Sequence, residues 1–108
     1  MRMGMVIGVR PERVADDKRL HAEPWPEIDA ALKDANVHHY SIFLKEPENL
    51  LFGVWDYLGN DYEGDMKRLG EKAVTKRWLA LTDSCQSPLA SAKPGDWWSF
   101  MDCVYHLD

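Results

Sequence analysis

The sequence has few of the features that mark common functional sites. Its only two cysteines, Cys85 and Cys103, are too few for a disulfide scaffold. No export signal is recognisable, so we expect reduced thiols in a cytoplasmic protein, with Cys103 in the core and Cys85 in a polar loop. No HxxxH, HxH or CxxC motif, no glycine-rich phosphate loop and no GxSxG motif occurs. The sequence therefore predicts no metal and no phosphate-bound cofactor.

The chain also lacks an excess of positive charge and any long apolar run. Its 108 residues carry 13 Lys and Arg against 18 Asp and Glu, a net charge of −5. Proteins that bind nucleic acid gain much of their affinity from Lys and Arg on phosphates, so this balance argues against one. No apolar stretch approaches the roughly 18 residues of a transmembrane helix, so no membrane partner is expected. We expect one globular domain over residues 1–108 with a thin core.

Alternation of apolar and polar side chains predicts the strands, and apolar stripes at helical spacing predict the helices. The predicted strands are residues 1–10, Val37–Leu44, Leu50–Tyr57 and Ser99–Leu107. The first helical stretch follows Pro11 and breaks near Glu23, and Pro26 begins a second segment that ends at about Lys33. A further helix runs from an N-cap at Asp61 to about Leu81, and a polar loop covers Thr82–Asp96.

The order strand, helix, strand, strand, helix, strand is typical of the ferredoxin-like split βαβ fold. This α+β fold has a four-stranded antiparallel sheet with its helices on one face. The strands carry large side chains on both faces, with Phe43 next to Ile42 and Trp55 next to Val54. The uncovered face therefore predicts a homodimer related by two-fold symmetry, a dimeric α/β barrel.

Three side chains are candidates for chemistry. His21 lies on the inward side of the first helix, beside the proline-broken turn, and imidazole titrates near neutral pH. It is either a general acid or base, or a half-buried histidine that packs the helix end. Tyr40 is either a core residue or a hydrogen-bond partner for a ligand hydroxyl, and Trp78 is either packing or a stacking surface. At most one of the neighbours Trp97 and Trp98 faces any one cavity.

The segments KRLHAEPWPEI, ALKDANVHHYSIFL, ENLLFG, KRWLALTD and DCVYHLD occur in this order. Together they resemble the L-rhamnose mutarotase family over nearly the whole chain. The resemblance implies a small cytoplasmic homodimer of ferredoxin-like subunits that interconverts the α and β anomers of a 6-deoxy sugar without a cofactor. It further implies that His21 is the catalytic residue and that Tyr40 and Trp78 bind substrate.

The chain departs from the family pattern at two positions. Asp17 stands where family members commonly have a substrate-binding tyrosine, and Leu79 follows Trp78 where a second tryptophan is usual. Asp17, Trp97 or Trp98 could replace the missing contacts. One branch of the family acts on L-fucose, so the expected substrate is L-rhamnose or L-fucose. A non-catalytic ligand-binding module and a cofactor-free monooxygenase of the same fold are the alternatives.

Overall fold

The first strand lies in the middle of one antiparallel sheet in the computed structural model, which describes residues 1–108. This strand, β1 (Arg2–Val9), pairs along one edge with β3 (Leu50–Tyr57), and β3 pairs in turn with β2 (Val37–Lys45). Two short strands share the other edge of β1, namely β4 (Gln86–Ser87) and β5 (Ser99–Met101). The fold is therefore the predicted α+β ferredoxin-like arrangement, with its fourth strand divided in two.

Four helices lie in the two connections of the sheet. α1 (Val14–Ala22) follows a 3-10 turn at Pro11–Arg13, and α2 (Pro26–Asp34) begins with Pro26 in its first turn. Proline suits that position because it needs no hydrogen-bond donor there. α3 (Tyr62–Glu71) is capped by the Asp61 side chain, which accepts a hydrogen bond from the Gly64 backbone N–H, and α4 (Ala73–Asp83) follows it.

The helices cover the sheet face that carries Met5, Ile7 and Trp55. Met3 lies opposite Trp55, Met5 opposite Gly53 and Ile7 opposite Leu51, and directly paired residues share a face. Leu32, Tyr62 and Met66 of the helices pack on the cluster of Met5, Val37 and Trp55. A Cβ at position 53 would lie 3.1 Å from Met5 Cγ and 3.4 Å from Tyr40 Cε1. Glycine at this position therefore makes room for the Tyr40 ring.

A bulge in β2 turns Tyr40 toward the helices. The pairing with β3 shifts between His38 and Ser41, and His39 has a left-handed backbone with φ of 53°. Two residues, His39 and Tyr40, thus oppose Trp55 alone, and the alternation of inward and outward side chains is reset. Both Val37 and Tyr40 consequently pack on the helix-covered face.

The opposite sheet face, which we call the outer face, has no helix on it. Phe43 pairs with Phe52 there, and Phe52 also lies opposite Val6 of β1. Phe43 is 62% exposed and Met101 of β5 is 43% exposed. The uncovered apolar face predicted from the sequence is therefore present.

Two predictions about the elements in the second half of the chain were wrong. The helix predicted to run to Leu81 is two helices, because the backbone at Lys72 is extended and interrupts the hydrogen-bond ladder. The strand predicted to reach Leu107 ends at Met101, since its antiparallel partner β1 begins at Arg2 and soon offers no further residues to pair with.

The two cysteines are also placed opposite to expectation. Cys85 is buried, because the chain turns inward after α4 and the Cys85 carbonyl accepts a hydrogen bond from the Arg10 N–H. Cys103 is exposed in the segment beyond β5. The pairing of Gln86–Ser87 with β1, inside the predicted loop, holds this inward turn in place.

Candidate active site

His21, Tyr40 and Trp78, the three candidates from the sequence, line one cavity of about 290 Å³. The cavity lies between the inward sheet face and helices α1, α2 and α4. Its remaining lining residues are Pro24, Ile28, Asp29, Leu32, Ile42, Leu79, Thr82, Gln86 and Trp98. The structure therefore brings together side chains that lie far apart in the sequence, as a ligand site requires.

The His21 ring is held through its Nδ1 atom. Nδ1 lies 2.9 Å from the Asp17 backbone carbonyl oxygen and 3.3 Å from Asp17 Oδ2, one helical turn earlier. A carbonyl and an ionised carboxylate can only accept hydrogen bonds, so Nδ1 carries the proton of the neutral ring. Nε2 makes no hydrogen bond to the protein and is the nitrogen that can exchange a proton with a ligand.

The environment of His21 favours the charged imidazolium. The hydrogen bond to the Asp17 side chain raises the pKa of His21 above its usual value of 6.5, and the backbone bond to Asp17 adds to this. Partial burial opposes the shift, because desolvation disfavours the charged ring. The side chain is 26% exposed, so it is both shielded and reachable. His21 thus remains a proton donor at higher pH than a free histidine.

Two tryptophans form an aromatic wall beside His21. The Trp78 ring meets the His21 ring edge-on, and Trp25 packs on Trp78 with ring centroids 5.2 Å apart and planes at 66°. Trp25 stands between the two prolines that end α1 and begin α2. The proline-broken turn therefore supports Trp78, whose face is a rigid apolar surface.

Tyr40 contributes a hydroxyl with no partner in the protein. Its ring meets Trp55 edge-on, with centroids 4.9 Å apart and planes at 77°, and this contact fixes its position. Burial raises the pKa of Tyr40 to about 12, so the phenol stays neutral under physiological conditions. A neutral hydroxyl can donate one hydrogen bond and accept others, so it can bind a hydroxyl group of a ligand.

Asp29 and Gln86 also line the cavity and were missed from the sequence. Gln86 is almost fully buried, and its Oε1 accepts a hydrogen bond of 3.1 Å from Trp97 Nε1. It lies in β4, which the sequence showed only as part of a polar loop. Asp29 lies on the polar side of α2, and no pattern in the sequence distinguished it from a solvated carboxylate.

A second cavity of about 560 Å³ adjoins the first and shares six lining residues with it, namely Ile28, Leu32, Tyr40, Trp78, Leu79 and Trp98. Its own lining is almost wholly apolar and includes Trp55, Tyr62, Met66, Trp97 and Phe100. Trp98 thus lies at the boundary of the two cavities, and Trp97 lines the second cavity with it. The prediction that at most one of the two faces any one cavity was wrong, because both precede β5 and do not alternate as strand residues do. The polar groups that suit a sugar are concentrated around His21.

No group of three or more His, Cys, Asp or Glu side chains is placed to hold a metal ion. Among the helices, none combines the length and the apolar character needed to cross a bilayer.

Comparison with solved structures defines the class of fold. The crystal structure of an L-rhamnose mutarotase from Formosa agariphila matches 100% of this chain and 99% of its own, with a TM-score of 0.78 at 22% identity. A polyketide cyclase, the tetracenomycin F2 cyclase of Streptomyces glaucescens, matches 100% of this chain and 97% of its own, with a TM-score of 0.68 at 15% identity. At these identities the matches establish the shared ferredoxin-like fold.

Sequence comparison then identifies the family. The family model for L-rhamnose mutarotase matches residues 2–107. The L-rhamnose mutarotase of Yersinia pestis strain Pestoides F is 38% identical over 78 residues, which are 72% of this chain and 72% of that protein. The chain belongs to the L-rhamnose mutarotase family, and the isomerase predicted from the sequence is confirmed.

Proposed function

We propose that this protein interconverts the α and β anomers of a 6-deoxy sugar, L-rhamnose or L-fucose, and that His21 is the catalytic residue. The observation that carries the proposal is the arrangement of His21 itself. Its Nδ1 is occupied by Asp17, its Nε2 has no protein partner, and its ring lines a cavity of about 290 Å³. That volume is at the lower end of small-molecule sites, which span roughly 300–1,000 Å³, and suits a monosaccharide.

Anomer exchange requires one proton to arrive and another to leave. The imidazolium of His21 donates its Nε2 proton to the ring oxygen while the anomeric hydroxyl loses its proton, so the bond between C1 and the ring oxygen breaks and an aldehyde forms. Rotation about the C1–C2 bond presents the other carbonyl face, and the reverse transfers close the ring. A positioned acid or base contributes about 10² to 10⁴ in rate, which is adequate because the reaction also proceeds unaided in water.

Tyr40 and Trp78 would hold the sugar for this transfer. The free Tyr40 hydroxyl would bond a sugar hydroxyl, and the Trp78 face would cover the apolar C–H face of the ring. Together they would restrict the sugar to poses in which its ring oxygen lies near Nε2. No residue of the cavity other than His21 is assigned to proton transfer, and the anomeric proton can leave to water.

We also propose that the protein is a homodimer formed through the outer face and that it works in the cytoplasm. A second copy would cover Phe43 and Met101, which are exposed in one chain. Isologous pairing of this kind is the commonest way to bury such a face. Both cysteines are free thiols, which suits a reducing compartment.

Saturation-transfer NMR on equilibrated sugars tests the proposed activity directly. The protein should speed exchange between the α and β anomeric protons of L-rhamnose or L-fucose above the rate in buffer alone. A panel that includes L-lyxose and L-mannose would show whether a methyl group at C5 is preferred over hydrogen or a hydroxymethyl group.

The same assay separates the alternatives. A ligand-binding module would show saturable sugar binding with no faster exchange, and a cofactor-free monooxygenase would instead consume oxygen with a polycyclic aromatic substrate. Either result would contradict the proposed mutarotase activity.

A further inference from the structure

Asp17 is the one buried carboxylate in contact with the proposed catalytic residue. It is 2% exposed, and its only charged partner is the His21 ring, whose Nδ1 lies 3.3 Å from Oδ2. The second oxygen, Oδ1, is buried and has no hydrogen-bond partner. A buried carboxylate is costly unless it is paired, so packing alone does not account for an aspartate here.

The two residues are aligned by the helix that carries both. Asp17 and His21 stand four residues apart in α1, a spacing that places side chains on the same side of a helix. Asp17 lies in the first turn and His21 in the last turn, so the helix dipole favours a negative charge on the former and a positive charge on the latter.

Few other charged or titratable groups face His21 from the elements packed around it. Asp29 of α2 and Tyr40 of β2 line the same cavity as His21, and Lys18 lines a separate space that His21 also borders. From α4 the neighbours are the neutral side chains Trp78 and Thr82. None of these groups forms an ion pair with the His21 ring, whereas Asp17 does.

We propose that Asp17 is a positioning residue, whose carboxylate holds the His21 ring through Nδ1 and makes Nε2 the atom that exchanges protons with the sugar. The role rests on the proposed function of His21, and it does not require Asp17 to touch the substrate. The backbone carbonyl of Asp17 also binds Nδ1, so both the carbonyl and the carboxylate favour the tautomer with its proton on Nδ1. The specific contribution of the carboxylate is its charge, which stabilises the imidazolium.

The Asp17→Asn variant isolates that charge, since it preserves shape and a hydrogen-bond acceptor. Loss of a neighbouring opposite charge should lower the pKa of His21 by about one unit, given that such neighbours shift pKa values by roughly 1–3 units. The matched control is Asp16→Asn, one residue earlier in α1. Asp16 pairs with Arg13 and Arg19 at the surface, so its loss removes the same charge without touching His21.

The test is a pH titration of the ¹⁵N-labelled protein, in which the shifts of both His21 ring nitrogens are followed. In the wild-type protein Nδ1 should stay protonated while Nε2 titrates above the usual histidine value of 6.5. Asp17→Asn should lower this midpoint by about one unit. The pH at which anomer exchange declines on the alkaline side should fall with it. Asp16→Asn should leave both unchanged.

An unchanged midpoint in Asp17→Asn would overturn the proposal. So would a wild-type protein in which neutral His21 carries its proton on Nε2, or one in which the ring titrates no higher than 6.5. These wild-type measurements keep the proposal falsifiable even if the variant fails to fold. Because the titration requires no turnover, its failure is distinct from a failure of the proposed activity, which the exchange assay on the wild-type protein reports.

Discussion

The Trp78 ring meets the His21 ring edge-on, with centroids 6.2 Å apart and planes at 87°. Both rings line the same cavity, so a sugar bound there can contact the Trp78 ring while the neighbouring His21 donates a proton. Trp78→Ala should therefore weaken substrate binding more than it affects the proton transfer itself.

Aromatic contacts of this kind contribute about 0.5–1.5 kcal/mol beyond the area they bury, so we expect KM to rise roughly 2- to 10-fold. Trp78→Phe should retain most of the affinity, because it keeps a flat apolar face. Exchange kinetics as a function of sugar concentration measure both variants. A fall in kcat with unchanged KM would contradict a covering role for Trp78.

Removal of the Tyr40 hydroxyl tests its assignment to substrate. Tyr40→Phe keeps the ring contact with Trp55 and removes only a group that has no partner in the protein. Stability should therefore be unchanged, while the loss of one neutral hydrogen bond worth about 0.5–1.5 kcal/mol should raise KM roughly 2- to 10-fold. Thermal unfolding and exchange kinetics on the same sample separate these effects. Loss of stability with normal kinetics would make Tyr40 a structural residue only.

The outer face predicts the oligomeric state. Phe43→Asp places a charge where the proposed dimer buries an aromatic ring. We expect the free energy of dimerisation to become less favourable by at least about 2 kcal/mol, which is roughly 30-fold weaker association. The matched control is Leu58→Asp, because Leu58 is 59% exposed but follows the end of β3. Sedimentation equilibrium should show dimers for the wild type and the control and monomers for Phe43→Asp. A monomeric wild-type protein would contradict the proposed assembly.

The Asp65 carboxylate, which lies away from the cavity, predicts that the fold loses stability in acid. Asp65 accepts hydrogen bonds from Tyr57, Asn36 and Arg68, which tie α3 to β3 and to the end of α2. These bonds, that of the Tyr57 hydroxyl foremost, hold the pKa of Asp65 below its usual value of 3.8. The stabilisation is therefore complete above that unfolded-state value and is lost as the pH falls through the lower folded-state value.

Urea unfolding at neutral and acid pH measures this contribution. Asp65→Asn should lower the urea midpoint at neutral pH, and the difference from wild type should shrink in acid. Glu63→Gln is the control, because Glu63 lies exposed on the same helix and forms no ion pair. Equal losses for the two variants would show that Asp65 has no special role.

Much of the first half of the fold could be predicted because its signals are local. Pro24 and Pro26 mark the boundary between α1 and α2, and the alternation in residues 1–10 and Leu50–Tyr57 identifies two strands. The break between α3 and α4 could not be predicted, since Lys72 is a good helix former. In the folded chain the Lys72 backbone is extended, and Lys72 Nζ lies 2.9 Å from Asp34 Oδ2 of α2.

The sequence predicted three of the side chains at the candidate site, but not the buried carboxylate that pairs with His21. His21, Tyr40 and Trp78 were identified, and they line one cavity. The bulge that turns Tyr40 inward depends on a left-handed backbone at His39, which the apolar alternation in Val37–Leu44 does not indicate. The burial of Asp17 could not be predicted either, because a carboxylate in the first turn of a helix is usually solvated.

The most direct test of the account is anomer exchange by His21→Asn, which keeps a polar side chain of similar size and removes the titrating group. His38→Asn is the matched control, since His38 does not line the cavity of His21. Saturation-transfer NMR on L-rhamnose and L-fucose should show exchange at the buffer rate for His21→Asn, about 10²-fold or more below wild type, and an unchanged rate for the control. Wild-type exchange by a folded His21→Asn protein would contradict the central claim.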